Sequence, residues 1–209
     1  MSIELANIPT LTQLYKRGIV QNSSVPLFAP SKLINDRVSI YRGDITKIKT
    51  DAIVNAANNA LRNGSGVNGA IHDAAGPQLA YECEKLDGCA TGDAKLTEAY
   101  SLPSKFIIHT VGPIFHNHSP EKSQSLLASC YSRSLQVAKD NDLRSVAFSS
   151  ISTGIFGYPF HEAAATALLT TRKFFEENPE NKIDRVVFVL FSASDEQTYK
   201  HLITQYFPN

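Results

Sequence analysis

The stretch from Asp51 to Gly76, DAIVNAANNALRNGSGVNGAIHDAAG, constrains the fold of this chain more than any other. A short apolar run leads into a loop rich in asparagine and glycine, and then into a helix. A buried strand entering a helix through such a turn is the building unit of a sheet covered on both faces. The turn also gathers backbone N–H groups and the positive end of a helix dipole at one point, which suits an anion. A second unit of the same kind stands at Ser145 to Ala164, SVAFSSISTGIFGYPFHEAA.

The rest of the chain continues the alternation. Val38–Arg42 is β-branched and alternating, and predicts a strand. Further strands are expected at 52–57, 94–100, 105–112, 145–151 and 185–191. Helices are expected at 67–75, 78–86, 119–140, 159–177 and 195–207, with Pro77 in a first turn. Ahead of them, Thr10 caps a short helix to Arg17 that Gly18 ends, and Pro26 and Pro30 mark an extended connector. Residues 1–37 therefore read as an N-terminal extension and residues 38–209 as the compact domain. The fold class is α/β: a three-layer α/β/α sandwich with a mostly parallel central sheet. Ligands of such sheets bind beyond the carboxyl ends of the strands, where both special loops fall.

Composition excludes several function classes. The chain has 209 residues, with 20 Lys and Arg against 20 Asp and Glu. Zero net charge offers no bulk attraction to nucleic acid or an acidic membrane, so neither partner is expected, and a monomer is. No apolar run is long enough for a membrane span. The N-terminal residues MSIELANIPTLTQLYKRG resemble neither a secretory signal nor a mitochondrial presequence. Three cysteines, Cys83, Cys89 and Cys130, are an odd number and read as free, packed thiols in a reducing compartment. A cytoplasmic or nuclear location is expected.

The first loop offers Asn63, Gly64, Ser65, Gly66 and Val67. It is neither a Walker A loop, since no Gly-Lys-Ser/Thr follows, nor GxGxxG. The second offers Ser152, Thr153, Gly154, Ile155, Phe156 and Gly157, with no lysine or arginine. Neutral backbone donors on two sides suit a diphosphate; the alternative is a pair of tight turns with no ligand. Asp44 follows a strand and either accepts from an exocyclic amine or stabilises its own turn. Phe191 either stacks on a base or joins the core. His116 and His118 lack a third metal ligand and read as a solvated loop, so no metal is expected.

GDITKIKTDAIVNAANNAL, GVNGAIHDAAG, ECEKLDGCATGDAKLTEAYSLPSKFIIHTVGP and SISTGIFGYP, in that order, resemble the macro domain family. More narrowly they resemble its branch of mono-ADP-ribosyl hydrolases and O-acetyl-ADP-ribose deacetylases. The resemblance implies ADP-ribose and mono-ADP-ribosylated proteins as partners, with no cofactor. It implies that Asp44 holds the adenine amine with the Ile45 backbone nearby, and that Phe191 packs on the adenine. Gly64, Ser65, Gly66 and Val67 would enclose the diphosphate and distal ribose together with Ser152, Thr153, Gly154, Ile155 and Phe156. Asn58 would bond the ribose hydroxyls, and Phe156 would orient that ribose. The implied reaction is hydrolysis of mono-ADP-ribose esters on acidic side chains, of O-acetyl-ADP-ribose, or of both.

One position departs from the pattern. The family loop of four glycines before Val-Asp-Gly is here NGSGVNG, so Asn68 stands where the branch has its acid. An amide can orient water but cannot act as a base near neutral pH. His72, one turn on, would face the same side and could carry the proton instead, or it could only pack. The implied catalytic set is Asn58, Asn68, His72 and Phe156. The alternative is a catalytically weak ADP-ribose reader, whether Asn68 is natural or a substitution introduced to trap a ligand.

Overall fold

The computed structural model describes residues 2–209. In chain order the elements are β1 (Ile3–Glu4), α1 (Leu11–Lys16), α2 (Lys32–Asn35), β2 (Val38–Arg42), β3 (Ile48–Lys49), β4 (Ala52–Ala56), α3 (Gly66–Ala75), α4 (Pro77–Lys85), β5 (Ala94–Glu98), β6 (Phe106–Thr110), α5 (Pro120–Asp140), β7 (Ser145–Phe148), α6 (Phe160–Glu177), β8 (Arg185–Leu190) and α7 (Ala193–Tyr206). Six strands form one sheet in the order β2-β8-β7-β4-β6-β5. All neighbours run parallel except β5, which lies antiparallel to β6 at the edge.

Strand alternation divides the core into two layers. Ala52 and Val54 of β4, Val146 and Phe148 of β7, and Val186 and Phe188 of β8 face Leu127, Leu168 and Leu202 of α5, α6 and α7. Ile53, Ala147 and Val187, one residue out of phase, face Ile71 of α3 and Leu79 of α4. Because side chains alternate across a pleated strand, both faces must be apolar and both must be covered. The result is the three-layer α/β/α sandwich expected from the sequence. No helix among the described residues is long and apolar enough to cross a membrane.

The residues preceding β2 pack onto this sandwich. Leu11, Leu14, Val20 and Ile34 are buried with the α5–α7 layer, and Ile8 lies in the α3–α4 layer. Thr10 and Gln13 form a capping box at the start of α1. Strand β1 pairs with β3, outside the main sheet. The four-residue helix α2 within this segment was not expected; Ser31 caps it through its side chain.

Arg172 of α6 fastens the connector. It is only 2% exposed. Its guanidinium donates to the carbonyls of Tyr206 and Ala29, pairs with Glu176, and lies over the rings of Phe28 and Phe207. Arg172→Met keeps the apolar stem but strips the buried Tyr206 carbonyl, the Ala29 carbonyl and a carboxylate of their donors. A loss of about 2 kcal/mol is expected, since unpaired buried polar groups cost more than the bonds contributed. In a domain of this size that lowers Tm by roughly 4–8 °C, readable by thermal unfolding.

Candidate active site

The first loop is shaped by its own side chains. After β4, Asn58 closes a turn on itself: its Oδ1 accepts from the Arg62 amide at 3.0 Å and its Nδ2 donates to the Arg62 carbonyl at 2.8 Å. Leu61 is fully buried within that turn at φ 54°, so apolar anchoring outweighs the cost of a left-handed backbone. Asn63 Oδ1 accepts from the Gly64 amide at 2.7 Å. Helix α3 then starts at Gly66 with φ 62°. Ser65, at its N-cap, makes no side-chain capping bond, so the first-turn amides are left for a ligand or solvent.

The second loop follows β7 in the same way. Ser149 Oγ donates to the Val54 carbonyl at 2.9 Å and ties this loop to β4. The turn closes through Tyr158 N to Ser152 O at 3.0 Å and Gly157 N to Gly154 O at 2.9 Å. Phe115 N donates to Phe156 O at 2.9 Å, bracing it from the segment after β6. Ser152 is buried at φ 64°, and its Oγ has no protein partner.

Between the loops lies a cleft of about 280 Å³, at the carboxyl ends of β4, β6 and β7. Its walls include Asn58, Gly64, Ser65, Gly66, Val67 and Asn68 on one side, and Ser152, Gly154, Ile155 and Phe156 on the other. No lysine or arginine contributes to it. Ile155 stands 83% exposed at the mouth. Thr153 is not part of the wall; its hydroxyl donates to the Ser150 carbonyl at 3.1 Å and stabilises the turn. Gly112 and Ser150, not anticipated from the sequence, also line the cleft.

Asp44, Ile45 and Phe191 sit along the same rim, at the ends of the next strands β8 and β2. Gly43 N donates to Leu190 O at 3.0 Å and holds these two strand ends together. Asp44 uses Oδ1 to accept from the Thr46 amide at 2.9 Å and hydroxyl at 2.7 Å. That leaves Oδ2 for a ligand amine. Ile45 is buried, and Phe191 is 91% exposed, so it is not a core residue.

Of the two readings of His72, the geometry favours packing. Asn68, Ile71, His72 and Ala75 form the buried stripe of α3, which faces the sheet. Only Asn68, in the first turn, reaches the cleft, and His72 does not line it. The His72 ring lies 6.2 Å from that of His109, and its Nε2 is buried without a partner. Burial holds its pKa below the ordinary histidine value, and Asp73 partly opposes this. The ring is therefore neutral but not placed to pass a proton to a molecule in the cleft.

His72, Cys83 and His109 bring their N and S atoms within 4.8 Å of one another. Their protonation makes them a neutral core group. Burial pushes the Cys83 thiol up to about 11. His109 Nε2 lies 2.9 Å from Thr97 Oγ1, and its Nδ1 lies 3.1 Å from Asn55 Nδ2. All three cysteines are buried and free. His116, in the 3-10 turn Phe115–Asn117, and His118 just after it are both exposed.

Asn68 is held from both ends. Its Oδ1 accepts from Asn55 Nδ2 at 2.8 Å, and its Nδ2 donates to the Arg62 carbonyl at 2.9 Å. Sequence reasoning did not single out Asn55 and His109. Their signal was a polar residue inside an otherwise apolar strand, AIVNAA and FIIHTV, which must find a buried partner.

The family model described as Macro domain matches residues 54–167, which contain both loops and more than half of the chain. The chain belongs to the macro domain family. This macro domain is 46% identical over 99% of its length to a protein named ADP-ribose glycohydrolase MACROD2 from Xenopus laevis, and it spans 49% of that relative. Among solved structures, the macro domain of ganglioside induced differentiation associated protein 2 matches with a TM-score of 0.89 at 36% identity, covering 99% of this chain and 97% of that one. A Trypanosoma brucei macrodomain in complex with ADP-ribose matches with a TM-score of 0.79 at 36% identity, covering 95% and 75%.

Proposed function

We propose that this macro domain binds ADP-ribose across the rim and cleaves mono-ADP-ribose esters of acidic side chains, or the related O-acetyl ester. The observation that carries this is the two facing loops, which line the cleft with glycines and uncharged polar residues and leave the first-turn amides of α3 without a side-chain cap. Asp44 and Phe191 continue the rim in the direction an adenosine would extend. The name of the Xenopus relative and the ligand of the Trypanosoma structure support the same reading.

In the proposed reaction, water attacks the ester carbonyl carbon and the bond to the distal ribose oxygen breaks. That oxygen leaves with a proton, and a carboxylate or acetate is freed. The loops hold the ribose and diphosphate so that the water and the ester meet in one geometry. Asn58 and Phe156 fix the ribose. No carboxylate or imidazole lines the cleft, so the proton from water passes to the ligand's own diphosphate or to solvent. Slow turnover follows. A second reading, binding without turnover, is favoured by the same observation.

Single-turnover release of ADP-ribose from a protein modified on Glu or Asp decides between them. Release above the spontaneous rate supports the hydrolase; binding with no release supports the reader; neither rejects both. The adenine assignment has its own test. Asp44→Asn keeps an oxygen for Thr46 but replaces the second acceptor with a donor. Kd for ADP-ribose is expected to rise about tenfold, roughly 1.4 kcal/mol, with Tm unchanged. Unaltered affinity by calorimetry would remove Asp44 from the site.

A further inference from the structure

The two edges of the main sheet are finished differently. At β5, the Glu98 amide donates to Glu82 Oε2 at 3.1 Å and the Ala94 amide to Asp93 Oδ1 at 2.9 Å, so side chains take up donors that no strand meets. At the opposite edge β2 pairs only with β8. The Arg37 carbonyl accepts from Val186 N, and Gly43 N donates to Leu190 O. Backbone groups of successive residues point to opposite sides of a strand, so Ser39 and Tyr41 face β8 while Ile40 and Arg42 face outward. The outward amides and carbonyls of Ile40 and Arg42 have no protein partner among the described residues.

A groove of about 290 Å³ borders these two residues. Leu14 and Ile19 wall it from the α1 side, and Glu196 and Lys200 from α7. Ile19 is 46% exposed there. Glu196 pairs with Arg42 at 3.0 Å and with Lys200 at 2.8 Å, so two cations share one carboxylate and the half-exposed Arg42 keeps donors free. An apolar wall, an unpaired strand edge and a surplus positive charge thus meet in one place.

We propose that this edge is a docking slot for an extended peptide that joins the sheet as a further strand. The peptide carries an apolar residue opposite Ile40 and an acidic residue two positions away, beside Arg42. Ile40 and Arg42 lie on one face of β2, so their partners must be spaced by two as well. Main-chain bonds to Ile40 and Arg42 supply affinity, and the two side chains supply selectivity. A second copy of this chain fits the slot poorly. Its own edge, VSIYR, has no acidic residue and would bring another arginine. The slot lies along the side of β2, away from the cleft at the ends of β4, β6 and β7, and the proposal does not rest on the ADP-ribose reading.

The probe is the capped peptide Ser-Thr-Val-Thr-Glu-Thr-Ser, titrated into the full chain and followed by amide NMR. Saturable binding is expected below about 1 mM. At roughly ten times Kd, hydrogen exchange of the Ile40 and Arg42 amides should slow about tenfold, with Ser39 and Tyr41 unchanged because β8 already holds them. The same peptide N-methylated at Val and at both neighbouring threonines should not bind. Equal binding of that form, or no saturation by about 1 mM, overturns the proposal. Slow exchange at Ile40 and Arg42 that deepens with protein concentration alone makes the occupant a second copy, and also overturns it.

Two variants test the side chains. Ile19→Glu changes an exposed wall and should weaken the peptide about tenfold. Arg42→Glu should reverse the charge preference, so that the peptide with Lys in place of Glu becomes the tighter ligand. A preference that Arg42→Glu leaves unaltered overturns the pairing with Arg42.

Discussion

Gly69→Ala is expected to weaken ADP-ribose binding about a hundredfold, roughly 2.7 kcal/mol. Gly69 lies in the first turn of α3, where a Cβ would fall far inside contact with the Gly64 carbonyl oxygen. That atom is backbone and cannot rotate away, so the whole Arg62–Gly66 segment must move outward. The movement carries the ligand-facing amides with it and pulls Arg62 from Asn68 and Asn58. Overpacking also costs about 1–3 kcal/mol of stability, so Tm is read alongside Kd. A variant that folds and has lost ADP-ribose locates the damage in the loop. A variant that binds normally would show that the first loop does not hold the ligand. Gly112→Ala makes the matching test on the other wall, since its Cβ would collide with Ser152 and Ile151.

The main sheet and the helices that cover it were legible because each carries a local signal. The apolar runs of β4, β7 and β8 demand cover on both faces, and Ser119, Pro120 and Pro77 mark helix starts where the chain has them. The packing of residues 2–37 was harder to read. Ile8, Leu11, Leu14, Val20 and Ile34 are spaced without a single period and separated by prolines and polar residues. Only the assembled sandwich supplies the grooves they fill.

The site was legible in part, along the same division. Glycine and asparagine between strand and helix announce a tight turn wherever they occur, so both cleft walls could be placed. The hydrogen-bond chain from Asn68 through Asn55 and His109 to Thr97 could not, because it is made by lateral register. Asn55 and His109 are Cα partners across β4 and β6, and β5 brings Thr97 to His109 from the other side. Nothing local in AIVNAA or FIIHTV specifies which strand becomes the neighbour. His72 shows the same limit on a helix. Its spacing from Asn68 does put both on one face, but the sequence does not say that this face turns toward the sheet.

The deepest consequence of that register is acid sensitivity. His109 is buried with its Nδ1 accepting from Asn55, and burial, aided by the neighbouring His72, pushes its pKa down from 6.5 to about 3. In the unfolded chain the same imidazole takes up a proton near pH 6.5. Between these values the unfolded chain holds one more proton than the folded one, so stability is full above about pH 6.5 and falls as the pH drops. The slope is about 1.4 kcal/mol per pH unit, or roughly 4–5 kcal/mol over the whole window. Burial also lowers the His72 pKa, which adds loss in the same direction. Carboxylates held below their ordinary range, such as Asp51 and Asp93, add theirs only further into acid, so the interval from pH 6.5 to 5 isolates the histidines. Urea unfolding across that interval should show His109 alone removing about 2 kcal/mol, and His109→Gln should flatten most of the slope. An unchanged slope in that variant would mean that His109 is already charged or exposed in the folded chain. A protonated Nδ1 could no longer accept from Asn55, so the Asn55–His109 bond between β4 and β6 is lost with that proton.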